Sequence, residues 1–216
     1  MAMVLNDHFD RVVCINLDSR PDRWSEVSAE FIRHHIVVER FAAIDRMNSE
    51  VGCGSLSPAE RGCLESHLAV IASSVEAGYQ HTMIFEDDVE FDPDFQRAFQ
   101  DAMEGGLIPA GWDLLYLGGA HVEPPRILNR RIARVTRTYT TSHYGISLRF
   151  ASEVVQAQRS MNEPIDVLLA HFQSGRACFT FEPAIAWQKA GFSDIRGKHV
   201  DYSRFMKPGR TVRETE

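Results

Sequence analysis

Three acids stand side by side in this chain, Glu86, Asp87 and Asp88, behind the apolar run Met83-Ile84-Phe85 and ahead of Val89 and Phe91. The apolar run predicts a buried strand that ends where the acids begin. Adjacent carboxylates repel one another and are costly to bury unpaired. A hard divalent cation, Mn²⁺ or Mg²⁺, removes that repulsion, because it takes carboxylate oxygens and shares them with a ligand's phosphates. In open α/β sheets, ligands sit beyond the carboxyl ends of strands, where this cluster falls. A solvated acidic turn, with Asp92-Pro93-Asp94 opening the next helix, accounts for the same residues. The triplet alone leaves both readings open.

The elements around it follow from periodicity and turn chemistry. Residues 11–17 form a continuous apolar run, the pattern of a central parallel strand, and a helix is expected over about 22–34. A second strand is expected at 36–41. A loop with Gly52 and Gly54 then leads to Ser57-Pro58-Ala59-Glu60, which reads as N-cap, first-turn proline and capping-box glutamate. Leu64, Leu68, Ile71 and Val75 place one apolar stripe on the helix that follows, and His67 lies at the edge of that stripe. A helix over 94–103 and a strand over 112–117 continue the alternation, which predicts a mostly parallel sheet covered on both faces. Beyond it, strands at 144–148 and 178–181, helices at 150–159 and 165–172, and an exposed strand or hairpin in the five-arginine segment 126–137 are expected.

The chain has 216 residues, 44% hydrophobic and 25% charged, enough to bury a full core without staples. A net charge of −7 argues against a nucleic-acid partner. No stretch approaches the length of a membrane span and the first residues lack a secretory pattern, so a cytoplasmic protein is expected. Cys14, Cys53, Cys63 and Cys178 include no CxxC pair, and neither a zinc nor a disulfide framework is expected.

Taken in order, the polar motifs form a series. It runs Ile15-Asn16-Leu17, Arg20-Pro21-Asp22-Arg23, Leu56-Ser57-Pro58-Ala59-Glu60-Arg61-Gly62-Cys63 with Ser66-His67, and Phe85-Glu86-Asp87-Asp88-Val89. It continues through Trp112-Asp113-Leu114-Leu115-Tyr116-Leu117-Gly118, Tyr144-Gly145-Ile146-Ser147, Pro164-Ile165-Asp166, and Gln188 with Ser193-Asp194-Ile195. This series resembles glycosyltransferase family 25, the lipooligosaccharide-biosynthesis and procollagen galactosyltransferases, over about residues 11–196. Arg61, where the family usually has an apolar residue, and Glu65 depart from the pattern.

The resemblance implies an α/β nucleotide-sugar-binding domain of the GT-A type, assigned to residues 1–206; the terminal segment 207–216 is expected to be a flexible tail. It implies a UDP-sugar donor, galactose or glucose, and inverting transfer assisted by Mn²⁺ or Mg²⁺. The acceptor would be a hydroxyl of a glycan, lipooligosaccharide or protein. Asp88 is then the first metal ligand and Asp87 the second, with Asp194 as a late metal or phosphate contact and His199 a weaker one. Glu86 would orient a ribose hydroxyl or the ion's waters, and Asn16, Arg20 and Arg23 would face the nucleotide. Asp166 is the candidate general base, because an inverting transfer needs a carboxylate to take the acceptor's proton. A first-turn acid interacting with the helix dipole explains Asp166 equally simply. The arginines of 126–137 offer peripheral contact with an anionic membrane or an acidic acceptor, or only a solvated face. Two rival functions use the same residues. One is a metal-dependent phosphodiesterase or nucleotidyltransferase, which normally needs a second acidic site or HxxxH-type spacing that is absent here. The other is a non-catalytic sugar-nucleotide or glycan-binding module.

Overall fold

The computed structural model describes residues 5–46, 55–139, 141–157 and 162–206. Gly52, Gly54, Cys53, the expected end of the 150–159 helix and the expected tail at 207–216 lie outside them. The chain opens with β1 (Arg11–Asn16), α1 (Pro21–Arg33), β2 (Glu39–Ala42), α2 (Pro58–Ala77), β3 (His81–Glu86), β4 (Val89–Phe91), α3 (Phe95–Glu104) and β5 (Leu114–Tyr116). It continues with β6 (Ala120–His121), β7 (Arg126–Ile127), β8 (Ile132–Arg134), β9 (Thr138–Tyr139), β10 (His143–Ser147), α4 (Leu148–Ala157), α5 (Ile165–Phe172) and β11 (Cys178–Phe181). β12 (Ala186–Gln188), β13 (Gly191–Ser193), β14 (Lys198–Val200) and α6 (Ser203–Met206) follow.

Eight strands form the central sheet in the order β2-β1-β3-β10-β5-β11-β8-β7. β10 and β8 run against the other six, so the sheet is mostly parallel in direction, flanked by helices, as the resemblance implied. The antiparallel β10, wedged between β3 and β5, is not what simple alternation predicts. Its five residues are all buried, and Gly145 is needed there because a Cβ would stand 2.8 Å from the Phe9 ring.

Successive side chains of β1 and β3 point to opposite faces and feed two cores. Cys14, Met83 and Phe85 pack with Phe31 and Phe99 from α1 and α3. Val13 and Ile84 pack with Leu64, Ile71, Phe150 and Leu168 from α2, α4 and α5. Ser57 and Glu60 close the capping box, with the Ser57 hydroxyl accepting from the Glu60 amide at 3.2 Å and a Glu60 carboxylate oxygen accepting from the Ser57 amide at 2.9 Å. Gly62 lets this helix start lie against the loop after β2, since a Cβ there would meet the Ile44 carbonyl at 2.4 Å. These two features set the wall of the cleft described next.

The arginine segment forms the β7–β8 hairpin, but Ile132 and Ala133 on it are buried. Arg130 and Arg131 both bind Asp101, and Arg134 donates to the Arg176 carbonyl, so these side chains are engaged within the fold.

Candidate active site

β3 delivers Glu86 to the carboxyl end of the central strands, and Asp87 and Asp88 make the turn into β4. Asp87 is held on both oxygens, by the Asn16 amide at 2.7 Å and Arg23 Nη1 at 2.7 Å. Asn16, almost fully buried at the end of β1, also donates to the Arg20 carbonyl and accepts from Arg40 Nε, so it braces the site with its whole side chain. Arg23 reaches from α1 to Asp87, to Asp88 Oδ2 at 3.4 Å and to the Phe192 carbonyl at 3.2 Å. Arg20 grips Asp22 with two nitrogens and donates to Asp194 at 2.5 Å, so it fixes a residue of the cleft wall rather than lining the cleft.

Asp88 differs from its neighbours. Its Oδ2 accepts from the Gln188 amide at 2.9 Å, while Oδ1 is buried with no hydrogen-bond partner. Burial and the adjacent Glu86 charge raise its carboxyl to about 7. An unpaired, desolvated carboxylate oxygen beside a second acid suits a hard divalent cation, which commonly takes one or two carboxylates and completes its shell with water and phosphate. Asp87, Asp88 and Asp194 do not themselves converge as a three-ligand cluster among the described residues, because Arg23 lies among them, 3.8 Å from Asp194. A cation at Asp88 would therefore take over charge that Arg23 now neutralises. His199 sits on β14 against Phe192 and lines neither pocket at the triplet.

Glu86 turns the other way. Its Oε1 accepts from Thr141 Oγ1 at 2.7 Å and lies 3.3 Å from Nε2 of the buried His67. Burial would push this carboxyl up, but His67 and Thr141 outweigh it and the group sits below its ordinary range. His67 Nδ1 meets the Tyr144 hydroxyl at 3.0 Å. His67 is thus a core-edge histidine that also touches the site.

Two pockets meet at this point. A cleft of about 130 Å³ runs between the end of β1, the loop after β2 and Asp194, and contains Asn16, Arg23 and the triplet. A wider groove of about 620 Å³ contains Asp166, His121, Tyr139, Arg196 and Tyr202. Cys63, Glu86, Gln188, Ser193 and Ile195 line both. Asp166 lies in the first turn of α5, where its Oδ1 accepts from the Val167 amide at 2.8 Å. Burial, aided by the Glu86 charge, raises its carboxyl above the usual range despite that amide.

Gln188, Thr141 and Arg196 line the site, and Arg40 braces Asn16 from behind; no local pattern singled them out. Gln188 was visible only as a member of the motif series. β12 pairs with β4 and brings it over Asp88, where the Lys189 amide also donates to the Asp88 carbonyl at 2.7 Å.

Comparison with known proteins bears on what the site is for. "Procollagen galactosyltransferase 1" of Danio rerio is 28% identical over 218 residues, covering 83% of this chain and 36% of its own. "Inactive glycosyltransferase 25 family member 3" of Mus musculus is 27% identical over 188 residues, covering 74% and 32%. This chain therefore spans about a third of the length of these relatives. A solved glycosyltransferase involved in the glycosylation of the major capsid of PBCV-1 shares 9% identity at a TM-score of 0.43, over 79% of this chain and 91% of its own, too distant to carry weight. The sequence profile of "Glycosyltransferase family 25 (LPS biosynthesis protein)" matches residues 9–118, the stretch that builds Asn16, Arg23, the α2 wall and the acidic triplet. The chain belongs to glycosyltransferase family 25.

Proposed function

We propose that this chain is an inverting hexosyltransferase that uses a UDP-sugar, galactose or glucose, and a hydroxyl acceptor on a glycan, lipooligosaccharide or protein. One observation carries the reading: a cleft holding the triplet and a groove holding Asp166 open into each other at Glu86. The nucleotide would occupy the narrower cleft, and Arg23 would pair with its phosphates once released from Asp88. Asp88, through its open oxygen, would hold Mn²⁺ or Mg²⁺, which when bound would stabilise charge on the departing diphosphate. In the wider groove Asp166 would take the acceptor's proton as its oxygen attacks the anomeric carbon from the face opposite UDP. His67 and Thr141 would keep Glu86 oriented, so that it faces a sugar or ribose hydroxyl as a charged acceptor. Cytoplasmic location, suggested by free thiols at Cys14, Cys63 and Cys178, is part of the same proposal.

A specific observation supports a second reading: three of the relatives are named inactive or probable inactive. A non-catalytic UDP-sugar module would bind donor without turnover. Release of UDP from UDP-galactose, UDP-glucose and UDP-N-acetyl sugars with Mn²⁺, measured with and without simple glycan acceptors, separates the two. Donor binding by calorimetry with no UDP release from any donor would overturn the transferase reading. Release of sugar 1-phosphate instead of UDP would favour nucleotidyl transfer or phosphodiester cleavage.

A further inference from the structure

Cys63 and His67 are one helical turn apart on α2 and face the same way, toward the end of β3. Cys63 Sγ, a ring nitrogen of His67 and a Glu86 carboxylate oxygen all lie within 4.8 Å of one another. His67 Nε2 is buried and forms no hydrogen bond, although it stands 3.3 Å from Glu86 Oε1. Around a tetrahedral zinc with bonds of about 2.0–2.3 Å, neighbouring ligand atoms are roughly 3.3–3.8 Å apart. The His67–Glu86 pair already has that spacing, and Cys63 Sγ, within 4.8 Å of its partners, needs an approach of about 1 Å to complete three corners.

We propose that Cys63, His67 and Glu86 form a second cation site, for a thiophilic divalent ion of the Zn²⁺ class, at the junction of the two pockets. One sulfur, one imidazole nitrogen and one carboxylate oxygen form a borderline-soft donor set, unlike the all-oxygen environment offered by Asp88. Three protein ligands would leave a fourth position for water or an incoming ligand, at a junction where Cys63 and Glu86 line both pockets. Tyr144 supplies the outer support: its hydroxyl meets His67 Nδ1 at 3.0 Å, so it can accept a hydrogen bond from Nδ1–H and leave the Nε2 lone pair for the ion. Thr141 does the same for Glu86 by donating to Oε1. Burial keeps the Cys63 thiol protonated when no ion is present. Binding therefore exchanges the thiol proton for the ion, with one S–H bond broken, one metal–sulfur bond formed and one proton released to solvent. The site stands whether or not the chain transfers a sugar.

Cobalt(II) is the probe, since zinc is spectroscopically silent. Titrating the purified, metal-free protein with Co²⁺ should give a thiolate-to-cobalt charge-transfer band and the visible bands of a four-coordinate ion at one equivalent. Zn²⁺ should abolish both stoichiometrically. Cys63→Ser should lose the charge-transfer band, whereas Cys14→Ser, Cys53→Ser and Cys178→Ser should keep it. Tyr144→Phe should weaken Co²⁺ by roughly 10–100-fold, the usual effect of removing an outer-shell partner. Absence of a thiolate band in the wild-type protein, or its survival in Cys63→Ser, overturns the proposal. If Cys63→Ser does not fold, His67→Gln decides: unchanged Co²⁺ affinity there also overturns it.

Discussion

Asp166 and Asp88 are both acids lifted by burial, yet they lead to opposite experiments. Asp166 must lose its proton to act as a base, so transfer should rise as pH climbs through its raised value, above the ordinary carboxylate range. Asp166→Asn should abolish that rise and lower transfer by about 10²–10⁴-fold, with donor affinity retained. A variant with wild-type turnover would return Asp166 to a helix-dipole role. For Asp88 the readout is stability without metal. The unfolded carboxyl ionises near pH 4 while the folded one holds its proton to about 7. The folded state therefore loses stability as pH rises from about 4 to 7, by about 1–3 kcal/mol given that Glu86 shares the cost. Asp88→Asn should flatten thermal melts across that window and remove stabilisation by Mn²⁺ with UDP. Arg23→Ala should lower the melting temperature by exposing the same repulsion, and Asp88→Asn should partly restore it, because the two side chains are coupled. Additive effects would show that Arg23 acts elsewhere. The acids and Arg23 were legible as a set only through the family resemblance that the order of the motifs carries. The division of labour was not: Arg20 holds Asp194, Asn16 is saturated by protein partners, and Gln188 reaches Asp88 from 100 residues away. Such contacts depend on strand pairing, which no local spacing encodes.

Among the elements, α2 has the clearest local signature, and its start also shapes the donor-side cleft. Ser57→Ala should cost about 1 kcal/mol, the ordinary value of a lost N-cap, seen as a small drop in melting temperature. Gly62→Ala should cost more, on the order of 1–3 kcal/mol, since the methyl group meets a backbone carbonyl that cannot rotate away. It should also weaken UDP binding measured by calorimetry, because Ile44 and its neighbours line that cleft. An alanine variant with native stability and affinity would mean that the helix shifts freely. Strand β2 shows what punctuation can hide. The apolar stretch from Ile36 suggests an earlier start, but His35 has a φ of 52° and the Ile36 amide is tied back to Phe31, so pairing begins only at Glu39. β10 was legible as a strand from its composition. Its direction was not, because a strand buried on both faces looks the same read either way.

At the level of the whole molecule, charge and cleft together predict a metal-linked ligand response. UDP should bind at least tenfold more weakly in EDTA than with Mn²⁺, and equal affinity would remove the cation from the donor site. The placement of β10 bears on something different, the order in which the chain can be assembled. β3 and β5 are made first but do not touch as neighbours in the sheet; the strip between them is filled by residues 143–147. On a ribosome, the centre of the sheet would stay open until that late segment emerges, with two inner strand edges exposed. Such non-local closure slows folding and leaves edges that favour self-association. The stretch matched by the family profile ends at residue 118, so it carries the acidic triplet without the strand that seals it. A fragment ending near residue 125 should accordingly show no cooperative melt, and supplying residues 126–206 in trans should restore one.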